Sequence, residues 1–147
     1  MSNENKKNTS TSKKIYKDVN KTLLKAIPNP ATKPYEVKIK QPELTFLGVY
    51  NQPDFAVLYI LMYPGKKVIE LKSLKLYLQQ FRNIVISYER ILNVVFDHLL
   101  EVYQPERLRL VIDCNPRGGI SSRLCIDSDW SVLGGNDRYK DWGELVW

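Results

Sequence analysis

The sequence is poor in residues that commonly bind metals. It has a single histidine, His98, and two cysteines, Cys114 and Cys125, in 147 residues. A zinc site needs three or four histidine, cysteine or carboxylate ligands, and neither Cys-x-x-Cys nor His-x-x-x-His spacing occurs here. The residues therefore predict a protein without a metal cofactor.

Long apolar segments are also missing. The longest apolar run, from Phe55 to Tyr63, has the length of a strand and is far shorter than the roughly 18 residues of a membrane span. The lysine-rich N-terminus lacks the apolar stretch of a secretory signal. We therefore expect a cytoplasmic protein with no membrane contact, in which the two cysteines are free thiols.

The net charge of +6 is confined to one end of the chain. Residues 1–33 carry eight lysines against Glu4 and Asp18, whereas residues 34–147 are neutral overall. Because residues 1–33 are rich in Ser, Thr, Asn and Lys, they predict a disordered basic tail. A single domain is expected over residues 34–147. The tail is either a solvated extension or a contact for RNA.

Apolar patterns predict strands in the first half of this domain. Residues 35–40 alternate apolar and polar side chains, which is typical of a half-buried strand. Residues 54–63 are almost all apolar and predict a strand buried on both faces. Residues 44–49 are either a short strand or an extended loop, and residues 67–70 are expected to form an antiparallel neighbour.

Two helices follow, because the apolar spacing changes to three and four residues. The first is predicted over residues 71–82, and the second, capped by Ser87, extends to about Tyr103. Residues 107–114 and 121–127 then predict a hairpin. This order of strands, helix, helix and strands predicts an α+β fold, an antiparallel sheet with both helices packed on one face.

Five segments carry a family resemblance. They are Gln52-Pro53-Asp54-Phe55-Ala56, Glu70-Leu71-Lys72-Ser73-Leu74-Lys75-Leu76-Tyr77, Phe81-Arg82-Asn83, Glu89, and Pro116-Arg117-Gly118-Gly119-Ile120-Ser121. In this order they resemble the NADPH-dependent 7-cyano-7-deazaguanine reductases of the queuosine pathway, which have the tunnelling fold. The octapeptide is the most specific segment, and the resemblance covers residues 34 to about 130. It implies a ring-forming homo-oligomer whose ligand sites are completed by neighbouring subunits.

The resemblance implies reduction of a nitrile to a primary amine. In this family a cysteine thiolate adds to the nitrile carbon to give a thioimide, an aspartate supplies the proton, and two NADPH molecules deliver hydride. Asp54 corresponds to the proton donor. Gly48 stands at the position of the cysteine, and no Cys, Ser or Thr lies between Leu47 and Asp54. A thioimide therefore cannot form at that position.

The resemblance also implies contacts to a 7-deazaguanine-type molecule and to NADPH. Glu89 would accept two N–H bonds from the edge of the base, and Tyr88 takes the place of a substrate-contacting histidine. The other implied contacts are Ile69, Glu70 and Leu71 for the base, and Lys72, Lys75, Arg117 and Gly118 for the NADPH phosphates.

Three functions remain open. The first is the reductase itself. The second is a binding or regulatory protein that keeps the pocket without the chemistry, which Gly48 suggests. The third resembles the related amidinotransferases that act on modified transfer RNA, which the basic tail would suit.

Cys114 is an alternative nucleophile, although a small buried core residue is the simpler interpretation. Cys114 and Cys125 are about equally distant from the turn near Gly119, so they are predicted to be neighbours across the hairpin.

Overall fold

The computed structural model describes residues 14–129. Its strands are β1 (Lys14–Ile15), β2 (Ala26–Pro28), β3 (Val37–Leu47), β4 (Pro53–Tyr63), β5 (Lys67–Ile69), β6 (Ile84–Val85), β7 (Arg107–Arg117) and β8 (Ile120–Asp127). Its α-helices are α1 (Leu71–Gln79) and α2 (Tyr88–Tyr103), and short 3-10 turns lie at Tyr16–Asp18, Lys21–Leu23 and Gln80–Asn83. The order of strands, two helices and strands confirms the predicted α+β class.

Six strands form the main sheet, in the order β1-β6-β3-β4-β7-β8. The four long strands pair antiparallel, as predicted. At one edge β6 pairs in parallel with both β3 and β1, so the sheet is mixed rather than purely antiparallel. This departure escaped prediction because β1 and β6 have two residues each, too few for a periodic signal.

Both helices pack on the same face of the sheet. Ser87 caps α2 by accepting a hydrogen bond from the Arg90 N–H, as predicted. The helix ends at Gln104, which has the left-handed conformation that often ends helices. Apolar side chains from one stripe of each helix join those of one strand face in a single core. They include Leu74, Tyr77 and Phe81, then Ile91, Val95 and Leu99, and from the sheet Leu58, Ile60 and Leu110. Among residues 14–129 no helix is long and apolar enough to span a membrane.

The prediction that residues 54–63 are buried on both faces is wrong. The face with Ala56, Leu58, Ile60 and Met62 is buried under the helices, whereas the opposite face is half-exposed and Phe55 is exposed. Within one chain, the described residues thus place both helices on one side of the sheet. The run reads as continuously apolar because its outer face also carries large apolar side chains.

Two smaller strand predictions are corrected. Residues 44–47 are neither a separate strand nor a loop; they continue β3 beyond a bulge between Gln41 and Leu44. The strand at Lys67–Ile69 does not pair with β4. It pairs antiparallel with β2 from the N-terminal segment, in a separate two-stranded sheet.

The prediction of a disordered tail over residues 1–33 is wrong for residues 14–28. Leu24 is buried in the core, and β2 pairs with β5. The main chain of Lys25 is held on both sides, because its N–H donates to the Ser73 hydroxyl and its carbonyl accepts from the Tyr103 hydroxyl. Backbone hydrogen bonds of this kind leave no trace in composition. The predictions for residues 1–13 and for the end of the domain at 130–147 lie outside the described residues.

The two cysteines are not neighbours across the hairpin. Cys114 lies opposite Ser122, and Cys125 lies opposite Val111. Because they differ by an odd number of positions in this register, their side chains project from opposite faces of the sheet. Both are free thiols, as predicted.

Candidate ligand-binding site

A cleft of about 300 Å³ opens where β3 ends, β4 begins, α2 begins and β7 ends. Its lining brings together five residues to which the family resemblance gave a place in the site and five to which it did not. They are Gly48, Asp54, Tyr88, Glu89 and Arg117 in the first group, and Val49, Tyr50, Gln52, Ile86 and Ser87 in the second. The positions implied for the nucleophile, the proton donor and the base contact therefore share one cleft.

Asp54 is a buried carboxylate paired with a partly exposed arginine. Only 6% of Asp54 is exposed, and its Oδ1 lies 2.5 Å from Arg117 Nη1. Arg117 is near the end of β7, so the antiparallel pairing of β4 with β7 brings the two side chains together. Half of the Arg117 side chain remains exposed. A reaction step that uses the Asp54 carboxyl group would therefore compete with Arg117 for it.

Gly48 leaves room that another side chain fills. A β-carbon built on Gly48 would overlap Gln52 Nε2 and would lie 2.7 Å from Asp54 Oδ2. A side chain at position 48 would therefore point at the Asp54 carboxylate, which is the arrangement that a nucleophile beside a proton donor requires. In this chain the end of the Gln52 side chain occupies that place.

Glu89 and Tyr88 are positioned by the start of α2. Glu89 is exposed in the first turn, where the helix dipole favours a carboxylate. The Tyr88 ring packs edge-on against Phe46, with ring centroids 5.2 Å apart. Burial raises the pKa of Tyr88, and the negative charge of Asp54 raises it further. Tyr88 thus contributes a neutral hydroxyl to the wall of the cleft.

Cys114 lies close to the cleft but remains a core residue. It pairs with Ala56, two residues along β4 from Asp54, and is 5% exposed. Burial raises the pKa of the Cys114 thiol, and the nearby carboxylates of Glu89 and Asp54 raise it as well. A neutral, buried thiol is a poor nucleophile, so the geometry favours the core interpretation.

The other predicted contacts lie elsewhere in the described chain. Ile69 and Leu71 line a separate cleft between β3 and β5. The Glu70 carboxylate caps α1 by accepting a hydrogen bond of 2.6 Å from the Ser73 N–H, and this bond lowers its pKa. Lys72 is exposed on α1, and Gly118 lies in the β7–β8 turn with a positive φ of 58°.

Lys75 lines a third cleft, of about 250 Å³, together with Arg82. Two cationic side chains in one cleft suit phosphate groups, although Glu43 also lines it. Among the described residues, no group of three or more His, Cys, Asp or Glu side chains could hold a metal ion.

Gln52 is the site residue that sequence reasoning missed. It belongs to the Gln-Pro-Asp segment that carries part of the resemblance, so its position was marked by that motif. Its position was not predicted because the sequence alone does not show that the Gln52 side chain extends into the space beside Gly48.

Comparison with known proteins identifies relatives of this chain. A family model described as QueF-like protein matches residues 53–131, more than half of the chain. A protein of a Nitratiruptor species named NADPH-dependent 7-cyano-7-deazaguanine reductase is 43% identical over 103 residues, which cover 69% of this chain and 79% of that protein. One of the same name from Prochlorococcus marinus (strain MIT 9515) is 41% identical over 123 residues, 81% of this chain and 90% of that protein.

A solved structure shares the fold. The crystal structure of the archaeosine synthase QueF-Like in the apo form matches with a TM-score of 0.61 and 13% sequence identity, covering 66% of this chain and 96% of that chain. At this identity the likeness concerns the fold alone. The family model and the relatives at about 40% identity go further: this chain belongs to the QueF-like protein family.

Proposed function

We propose that this protein binds a 7-deazaguanine-type base in the cleft beside Gly48 and acts on it as a 7-cyano-7-deazaguanine reductase with NADPH, by a route without a thioimide. The observation that carries the proposal is the meeting of Glu89, Asp54 and position 48 in one cleft. The relatives at about 40% identity are named as NADPH-dependent reductases of this base, which supports the same assignment.

Glu89 is suited to hold the base. Its carboxylate is exposed at the mouth of the cleft, so it can accept two parallel N–H bonds from the edge of a guanine-like ring. Tyr88 and Tyr50 line the same cleft and offer aromatic faces to a flat heterocycle. Orientation by Glu89 would direct the substituent at C7 towards Gly48 and Asp54.

Gly48 offers no nucleophile, and this limits how the nitrile could be reduced. Without a covalent intermediate, hydride must add directly to the nitrile carbon while the nitrogen takes a proton, which gives an imine; a second hydride and a second proton then give the amine. NADPH supplies the hydride in both steps. Asp54 is the proton donor within reach of that position, and Arg117 is paired with it. Because a free nitrile is a weaker electrophile than a thioimide, we expect turnover to be slow.

The cationic side chains beside α1 fit the phosphate groups of NADPH. Lys75 and Arg82 line one cleft, and Lys72 is exposed on the same helix. These residues would bind and orient the dinucleotide through its phosphates. The octapeptide that contains Lys72 and Lys75 is the most specific segment of the family resemblance, which supports retention of this contact.

A second candidate is a binding protein without turnover. It is favoured by one observation: Gln52 fills the space that a nucleophile would need. The two candidates share the base contact at Glu89 and differ only in chemistry. One set of measurements therefore separates them.

The deciding experiment combines three measurements on the full chain with 7-cyano-7-deazaguanine. Calorimetry reports binding, NADPH oxidation reports reduction, and intact mass spectrometry reports a covalent adduct. The reductase proposal predicts binding, slow oxidation of two NADPH per base, and no adduct. Binding without oxidation supports the second candidate, and an adduct reveals a replacement nucleophile. Absence of binding would contradict both.

The variant Gly48→Cys sharpens the result. Its β-carbon must displace the end of the flexible Gln52 side chain and shift Asp54 Oδ2, which would be 2.7 Å away, and its thiol would lie beside Asp54. We expect an adduct with the nitrile and faster NADPH oxidation in this variant, with base affinity changed less than about threefold. The matched control is Gly48→Ala, which makes the same displacement without a thiol.

The assembly proposed for the chain is a homo-oligomer. The sheet face opposite the helices carries half-exposed apolar side chains, and Ile69 and Leu71 line a cleft separate from that of Glu89. If they contact the base, a second copy must supply them. Sedimentation at micromolar concentration tests this, and a monomer would contradict it. The RNA contact of the basic segment and the cytoplasmic location remain predictions from the sequence.

A further inference from the structure

The two ends of the Gln52 side-chain amide have different surroundings. A β-carbon built on Gly48 would overlap the Nε2 end and would lie 2.7 Å from Asp54 Oδ2. The Oε1 end is enclosed and has no hydrogen-bond partner among residues 14–129. Because Gly48, Gln52 and Asp54 all line the cleft, the end of the amide that faces it is the NH₂ group.

The neighbours of this amide favour the observed orientation. Asp54 Oδ2 is an acceptor, so a donor beside it is favoured, whereas the amide turned by 180° would bring a second acceptor there. A tight turn fixes the main chain, because the Gly48 N–H donates to the Gln52 carbonyl at 2.8 Å and the Asn51 N–H donates to the Gly48 carbonyl at 2.7 Å. The turn therefore presents an N–H donor at the position that the family nucleophile would occupy.

This donor matches the charge that develops when a nitrile is reduced directly. A nitrile offers one acceptor, its nitrogen, and no donor. When hydride from NADPH forms a bond to the nitrile carbon, NADPH becomes NADP⁺ and the electron pair of one C–N π bond moves to the nitrogen. The nitrogen then takes the proton that the proposed function assigns to Asp54, which gives the imine. A fixed N–H donor stabilises the developing negative charge more than the neutral nitrile, so it raises the rate more than the affinity.

We propose that the Gln52 amide is a catalytic residue, which donates a hydrogen bond to the nitrile nitrogen and activates the nitrile for direct addition of hydride. The proposal rests on the proposed function, because Glu89 must orient the base for its C7 substituent to reach Gln52. By polarising the nitrile, Gln52 takes over part of the activation that a thioimide would give.

The experiment measures single-turnover oxidation of NADPH and, by calorimetry, the affinity for 7-cyano-7-deazaguanine in Gln52→Leu. The rate should fall about a hundredfold, the effect of removing one donor from a developing anion, while the affinity changes less than about threefold. Gln52→Met keeps the length of the side chain without the donor; it should show the same result and serves if the leucine variant does not fold. Gln80→Leu is the matched control, because its amide bonds the main chain of Asn20 outside the cleft, and it should keep the wild-type rate.

The variant Gly48→Cys gives a second test of the same role. Its β-carbon displaces the Gln52 amide and its thiol opens the covalent route, so in this background Gln52→Leu should change the rate by less than about threefold. A loss as large as in the wild-type background would show that Gln52 acts through the structure of the turn, and it would overturn the proposal.

The outcomes separate this proposal from the one on which it rests. If the wild type oxidises NADPH and Gln52→Leu keeps its rate, or loses affinity as much as rate, the role of Gln52 is overturned and the reductase function stands. If the wild type binds the base without oxidising NADPH, the reductase function fails and this proposal fails with it. If the base does not bind, the proposed site itself is wrong.

Discussion

The two buried aspartates of the sheet, Asp54 and Asp127, lie at opposite ends of it and differ in how completely they are paired. Asp127, at the end of β8, contacts Arg107 through two hydrogen bonds of 2.8 and 3.1 Å. It also lies 3.2 Å from Arg109 Nε and accepts a hydrogen bond from the Asp129 N–H. Asp54 has Arg117, half of whose side chain is exposed, and an open cleft beside it.

This difference separates a carboxylate with a complete set of partners from one that the proposed function gives a role in the cleft. A carboxylate held by two arginines and a backbone N–H has no capacity left for a ligand, and its loss removes the charge that balances those cations. A carboxylate held by one half-exposed arginine beside an open cleft has room for another partner. The contacts at Asp127 close that end of the sheet, whereas the open cleft beside Asp54 is where the proposed function places the ligand.

The largest expected effect is on folding stability in Asp127→Asn. Arg109 is almost fully buried and would lose its charged neighbour, so we expect a loss of about 3–5 kcal/mol in the free energy of unfolding. Chemical denaturation measures it. Asp54→Asn should cost about 1–2 kcal/mol, because Arg117 can turn to solvent.

A third aspartate provides a matched control for this comparison. Asp113 pairs with Arg123 at 3.0 Å on the same two strands, and both side chains are about one-third exposed. Asp113→Asn should change stability by less than about 1 kcal/mol. Equal losses in the Asp127, Asp54 and Asp113 variants would show that the number of partners of a carboxylate does not determine how much stability its removal costs.

The next effect concerns ligand affinity at the open end. Glu89→Gln keeps the shape of the side chain, removes its charge and turns one acceptor into a donor facing the ligand. We expect a loss of about 2–4 kcal/mol in the binding free energy of 7-cyano-7-deazaguanine, measured by calorimetry. Folding stability should change by less than about 1 kcal/mol, because Glu89 is exposed in the first turn of α2. Equal affinities of wild type and variant would remove Glu89 from the base contact.

Patterns that repeat along the chain made much of the fold predictable. The change to three- and four-residue spacing predicted both helices, and Ser87 marked the start of α2. Alternation and turn residues predicted the long strands and the β7–β8 hairpin. These features are local, so a short stretch of sequence specifies each one.

Features that depend on distant partners were missed. Leu24 and the main chain of Lys25 are ordered by residues about fifty and eighty positions away, Ser73 and Tyr103. Their segment is too polar for composition to reveal this. At the site, the family motifs marked Asp54 and Glu89, but the Arg117 partner and the Gln52 side chain beside Gly48 emerge only from the three-dimensional pairing of strands.

The anchoring of the N-terminal segment gives a smaller prediction. Tyr103 is fully buried, and its hydroxyl donates to the Lys25 carbonyl at 3.0 Å. Tyr103→Phe removes one hydrogen bond and keeps the ring, so we expect a loss of about 1 kcal/mol in the free energy of unfolding. Amide exchange should become faster at residues 25–27. Tyr63→Phe, at an exposed ring, is the control; the same acceleration in both variants would contradict the anchor.

The smallest expected effect is a pH dependence of stability that arises away from the cleft, at His98 on α2. Its Nδ1 lies 2.7 Å from the Tyr77 hydroxyl. Burial, and after it the positive charge of Lys21, lowers the pKa of His98 below its usual 6.5. The negative charges of Glu101 and Asp97 oppose this shift. Because the unfolded chain then takes up this proton at a higher pH than the folded chain, the contribution is complete above about pH 6.5 and is lost as the pH falls through the lowered pKa. Denaturation of the wild type between pH 5 and 7.5 should show this decline, and His98→Gln should flatten it. Both Glu70 and Glu101 have lowered pKa values and lose their contributions below their usual 4.5, outside this window. An unchanged pH profile in His98→Gln would show that another group is responsible.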